Sequence, residues 1–96
     1  MKIARVDDNQ KQITRYLRDK GVTVAITSGM GKGFPDLVCG YKKKNVLLEL
    51  KDGNKPPSAQ ILTPEQRLWH LSWNGQIAVV NTPEAAWAEI EKQTKD

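Results

Sequence analysis

Asp36, Glu49 and Lys51 are the residues of this 96-residue chain whose types and spacing best suit chemistry. They fall at the outer ends of two short apolar segments, 36–41 and 45–51, joined by Lys42-Lys43-Lys44, a pattern that reads as a β-hairpin. A loop of two or four residues centred on Lys43-Lys44 sets Asp36 opposite Lys51, Val38 opposite Glu49 and Gly40 opposite Leu47. Opposed residues share one side of a sheet, and alternation adds the positions two away. Asp36, Glu49 and Lys51 would therefore converge on one side, with Val46, Leu48 and Leu50 on the other. A three-residue loop would slip the register by one and part Asp36 from the other two. Two carboxylates forced together repel, and a raised pKa or a bound cation relieves them. With one Cys and one His in the chain, no Cys/His metal cluster can form, so any metal is held by oxygen. Oxygen donors suit Mg²⁺ or Mn²⁺, and a lysine alongside suits orienting water and offsetting charge at a phosphate. The same three residue types also make an ordinary surface Glu–Lys pair beside a turn aspartate.

The elements that would position them follow from periodicity. Asp7 to Lys20 reads as a helix, capped by Asp7, Asp8 or Asn9, with Ile13, Tyr16 and Leu17 on one side and Gly21 as the stop. Val22 to Thr27 is β-branched and apolar, a strand. Ser28 to Gly33 is a glycine-rich loop. After the hairpin comes the polar loop Lys51 to Ser58. Thr63-Pro64-Glu65-Gln66 then opens a second helix with a capping residue, a proline at the first helical position and a capping box. That helix runs to about Trp73 and ends at Asn74-Gly75. Gln76 to Val80 is a fourth strand, and Thr82-Pro83-Glu84 starts a last helix with Ala86, Trp87 and Ile90 on its apolar side. The order is αβββαβα, an α/β fold with mixed strand directions in one domain, residues 1–96.

On these residues the chain resembles a known family. Gly33-Phe34-Pro35-Asp36-Leu37, followed by Glu49-Leu50-Lys51, is similar to the PD-(D/E)XK nuclease signature on an αβββαβ core. The glycine-rich approach, the polar loop and Thr63-Pro64-Glu65-Gln66 at a helix head resemble the VRR-NUC (virus-type replication-repair nuclease) domain, over about residues 5 to 91. The resemblance implies a restriction-endonuclease-like core and Mg²⁺-dependent hydrolysis of DNA, with Mn²⁺ able to substitute. It implies that Asp36, Glu49 and the Leu50 carbonyl hold the metal, that Lys51 positions the attacking water, and that Gln66 reaches the site from its helix. A capping box also accounts for Gln66 without catalysis. Where the family carries a glutamate in the first helix, this chain has Asp7, Asp8, Gln10 and Gln12; Gln10 is chosen as the polar partner of water at the metal. The resemblance further implies a homodimer that cleaves branched DNA such as a Holliday junction, of phage or prophage origin, acting in the cytoplasm of a bacterial or phage-infected cell. The alternatives are a DNA-binding module that keeps the fold without the chemistry, and a nuclease of flaps or RNA.

Composition fits without deciding. Fifteen Lys and Arg against eleven Asp and Glu give +4, and 39% hydrophobic residues can form a modest core. No apolar run reaches the length of a membrane span, and the start of the chain lacks the apolar stretch of a signal peptide. Gly29 to Gly33 is not a nucleotide-binding Walker loop, because Gly33 rather than Ser or Thr follows Lys32 and the first required glycine falls on Ile26; no nucleotide cofactor is expected. That loop instead suits close passage of a DNA backbone. Lys32, Lys42, Lys43, Lys44 and Lys55 are candidate phosphate contacts. His70 reads as packing or surface, and Cys39 as a small buried hydrophobe. Trp69, Trp73 and Trp87 read as core, with one available for a subunit contact.

Overall fold

A computed structural model describes residues 8–96, so Asp7 and the cap of the first helix lie outside it. The elements are α1 (Asp8–Asp19), β1 (Thr23–Ile26), β2 (Leu37–Tyr41), β3 (Lys44–Leu50), α2 (Pro64–Ser72), β4 (Ile77–Val80) and α3 (Pro83–Gln93), with a short 3₁₀ turn at Pro57–Ala59. The order expected from periodicity is the order found. The four strands form one sheet in the order β1-β2-β3-β4, antiparallel except for the parallel pair β3–β4. That parallel pair needs a crossover, and α2 lies within it.

The hairpin register differs from the one predicted. Tyr41 pairs with Lys44, Cys39 with Val46 and Leu37 with Leu48, so the turn is the two residues Lys42-Lys43 rather than a loop centred on Lys43-Lys44. Both turn lysines have positive φ, 53° and 67°, as the tight turns that match strand twist require. Neither is the Asn or Gly that usually marks such a turn, which is why the sequence points one residue too far along. Carried one pair further, this register sets Asp36 opposite Glu49 instead of Lys51. The slip is two residues, an even number, so each side chain keeps its predicted side.

One side of the sheet forms the core. Leu37, Cys39, Val46, Leu48 and Val80 pack with Val24 against Ile13 and Leu17 of α1 and Ala86 and Ile90 of α3. Cys39 is fully buried there, and burial pushes its thiol up to about 12, so it stays protonated. Trp87 packs at the margin of this core with its ring edge-on to Tyr41. Leu47 and Glu49 are also buried, but they point to the opposite side, where α2 lies. No residue of α2 is fully buried. No helix among the described residues is long and apolar enough to cross a membrane.

Candidate active site

Asp36 is held before it is used. Its amide donates to the Leu48 carbonyl at 3.0 Å, and its own carbonyl accepts from the Thr27 amide at 2.8 Å. Pro35 ahead of it accepts from the Thr27 hydroxyl at 2.8 Å. The Asp36 side chain then accepts from the Leu50 amide at 2.8 Å through Oδ2. Leu50 therefore touches the site through its N–H, while its apolar side chain packs against the core.

Glu49 is 2% exposed. Its Oε2 accepts from the Gln66 amide nitrogen at 3.1 Å and lies 3.9 Å from Lys51 Nζ. Its Oε1 is buried and accepts from no N–H donor. Burial, then the hydrogen bond and charge of Asp36, push Glu49 up to about 8 against the opposing pull of Lys51. This is the crowding of two carboxylates anticipated above, made closer because Asp36 faces Glu49 directly.

Gln66 joins the parts. Its Oε1 accepts from Lys51 Nζ at 2.9 Å and from the Thr63 amide at 3.0 Å, while Nε2 donates to Glu49. The chemistry of the partners fixes this orientation, because an ammonium and an amide only donate and a carboxylate accepts. Thr63 Oγ1 accepts from the Gln66 amide to complete the capping box. The structural and site roles of Gln66 are thus not alternatives: the cap holds the side chain that bridges Lys51 and Glu49.

Other candidates fall elsewhere. Gln10 is buried and donates to Ser28 Oγ at 3.3 Å. Its neighbour Asn9, which the sequence offered only as a cap, donates to the Lys51 carbonyl at 2.8 Å and fastens α1 to the end of β3. Lys42 and Lys43 form the hairpin tip, at the opposite end of β2 and β3 from Asp36 and Glu49. Lys44 is engaged by the chain terminus, through the Lys95 carbonyl at 2.8 Å and Asp96 at 3.3 Å. These three lysines do not ring the carboxylates, because the strands carry them away. Lys32 and Lys55 stand in exposed loops. Gly33 has φ +82°, and a Cβ there would lie 2.6 Å from the Glu65 carbonyl oxygen. The close approach that this glycine permits is to the first turn of α2.

His70 is closer to the chemistry than its sequence context suggested. Burial and then the charge of Lys51 lower its pKa, and its Nε2 is buried without a partner. The signal was available in spacing, since Gln66, Trp69, His70 and Trp73 lie at i, i+3, i+4 and i+7 on one side of α2. Trp69 packs edge-on to Phe34 and stacks on Trp73, each at 5.0 Å between ring centroids.

Among the described residues, no three or more His, Cys, Asp or Glu side chains gather as a metal-holding group. The side-chain donor set is the pair Asp36 and Glu49. Such a pair fits a hard cation whose remaining ligands are backbone carbonyl, water and substrate oxygens. The burial of Glu49 and the mutual repulsion of the two carboxyls are what a divalent cation relieves. Comparison with protein-family models, with curated proteins and with solved structures finds no match.

Proposed function

We propose that this protein is a divalent-metal-dependent nuclease of the PD-(D/E)XK type, similar to VRR-NUC domains, that cuts branched DNA. The observation that carries the reading is Glu49: a buried carboxyl pressed against Asp36, its pKa raised, and tied through Gln66 to Lys51. Burying such a group costs stability, and packing alone gives no return for it. Its place at the end of a hairpin, beside a lysine held in a fixed position, suits hydrolysis of a phosphodiester.

Mg²⁺ or Mn²⁺ would be held by Asp36 and Glu49 with the Leu50 carbonyl, and such an ion supplies charge neutralisation and polarisation of the scissile phosphate. Lys51 orients water for in-line attack on phosphorus and offsets the negative charge that builds on the phosphate oxygens. The attacking water gives up a proton to solvent, the bond to the leaving oxygen breaks on the far side, and that oxygen takes a proton from solvent. Gln66 acts as a positioning residue, holding the Lys51 ammonium and the Glu49 carboxyl at fixed separation. Neutral His70 nearby adds no second cation to compete for the carboxylates.

A small domain has little surface for reading bases, which favours recognition of DNA shape. Two copies would present two sites to the two strands of a four-way junction. Ile61, Leu68 and Leu71 are about 70% exposed (69%, 70% and 74%) along α2 and the loop before it, an apolar surface that supports self-association.

The test is cleavage in Mg²⁺ of a four-way junction, a flap, a linear duplex and an RNA strand, with Lys51→Ala alongside and sedimentation for oligomeric state. Junction cutting that falls on the order of 100- to 1000-fold in Lys51→Ala is the expected result. Full activity in that variant overturns the mechanism. Tight binding without cutting in either Mg²⁺ or Mn²⁺ leaves a binding module, and preference for RNA or linear duplex removes the junction assignment.

A further inference from the structure

We propose that the groove between α1 and the edge strand β1 is the track along which the sugar–phosphate backbone of the DNA leaves the cleavage site. The inference rests on the nuclease reading for its choice of polyanion, but it concerns residues that reading does not use. The groove encloses about 390 Å³ and is lined by Lys11, Thr14, Arg15, Arg18, Asp19 and Ile26. Lys11, Arg15 and Asp19 also line a second groove of about 420 Å³, to which Asp8 contributes a further carboxylate.

Three arguments converge on a phosphate backbone. Lys11, Arg15 and Arg18 stand at i, i+4 and i+7, one stripe of the helix, and span ~10 Å of rise, about three base-pair steps measured along a duplex axis. Three cations face one carboxylate, and neither Lys11 nor Arg15 forms an ion pair among the described residues. Arg18 is already ordered, its guanidinium donating to the Val24 carbonyl at 3.0 Å, so less freedom is lost when it meets a phosphate.

Placement supplies the link to the chemistry. The N-terminal end of α1 is fastened beside the site by Asn9, on the Lys51 carbonyl. Ile26 at the groove adjoins Thr27, whose amide is bonded to Asp36. The stripe thus begins at the catalytic end of the sheet and runs back along β1.

Lys11→Gln with Arg15→Gln removes two exposed cations while keeping good helix formers. Binding of a labelled four-way DNA junction is measured with Ca²⁺ in place of Mg²⁺, over about 50 to 200 mM salt. The slope of log affinity against log salt is expected to become shallower by about 2. Lys92→Gln with Lys95→Gln, the same charge change at the end of α3, is expected to keep the slope of the unaltered protein. An unchanged slope in the groove variant, an equal loss in the α3 variant, or no junction binding by the unaltered protein at low salt each overturns the track. Cleavage in Mg²⁺ reports separately on the nuclease reading. Lys11- and Arg15-dependent binding without cutting upholds the track and sinks the nuclease, whereas cutting that needs Lys51 with an unchanged slope does the reverse.

Discussion

The two sides of the sheet are built on opposite terms, although neighbouring residues of one strand supply both. On the α1–α3 side, Val46 and Leu48 of β3 are fully buried in a continuous apolar cluster. On the α2 side, the alternate positions of the same strand are Leu47, Glu49 and then Lys51, and the helix above them has no fully buried residue. Its inward contacts are a capping box and a Gln66 bridge, and its outward side leaves Leu68 and Leu71 in solvent. Apolar burial holds the first side together. Hydrogen bonds to charged groups, worth about 1.5–3 kcal/mol each, hold the second. A fold can accept a crowded pair of carboxyls on one side because the other side carries the stability.

The largest contrast is between Leu48 and Lys51. Leu48→Ala should cost about 2–5 kcal/mol through the cavity it leaves, a large part of the stability of a small domain. Urea unfolding reads this as a lowered midpoint. Lys51→Ala, three residues along on the other side, should instead lose cutting, with a smaller fall in the urea midpoint that reflects the lost hydrogen bond to Gln66. If both variants lost stability equally, the division of labour between the two sides would be wrong.

Glu49→Gln sharpens the comparison because its sign is reversed. With the folded carboxyl raised to about 8 from an ordinary 4.5, the unfolded chain ionises first. Stability therefore declines as pH rises between these values and levels off above the upper one. Glu49→Gln lacks that decline. Without metal at pH 9 it should melt above the unaltered protein, by about 4–8 °C for each kcal/mol relieved. Addition of Mg²⁺ should raise the melting temperature of the unaltered protein and leave Glu49→Gln where it was. A lower melting temperature for Glu49→Gln at pH 9 would mean that the carboxylate is stabilising in its own right.

The smallest effects separate the two jobs of Gln66. Thr63→Ala removes a capping hydroxyl and should cost about 0.5–2 kcal/mol with cutting nearly intact. Gln66→Ala removes the other half of the cap at similar cost, and should in addition slow cutting because Lys51 and Glu49 lose their common partner. Equal cutting by these two variants would reduce Gln66 to a cap.

Local rules made much of this readable in advance. The capping box at Thr63, the β-branched strands, the apolar stripe of α1 and the buried Cys39 each follow from spacing or side-chain type. The hairpin register did not, since it depends on two lysines accepting positive φ, a conformation that no lysine signals. Asp36 and Glu49 nevertheless came out on the same side because a slip of two preserves alternation. The lysines of the hairpin tip were misplaced for a related reason. Nearness in sequence to Glu49 becomes distance along an extended strand, and Lys44 is drawn to the chain terminus.

The sequence by itself determined the element order and the side of β3 on which Glu49 and Lys51 fall. Those follow from period and parity, which need no knowledge of distant contacts. Tertiary structure alone decided that Asp36 faces Glu49, that one amide of Gln66 serves both the helix cap and Lys51, and that Asn9 ties α1 to the end of β3. Each of these joins residues far apart in the chain, and only packing of the helices on the sheet brings them within reach.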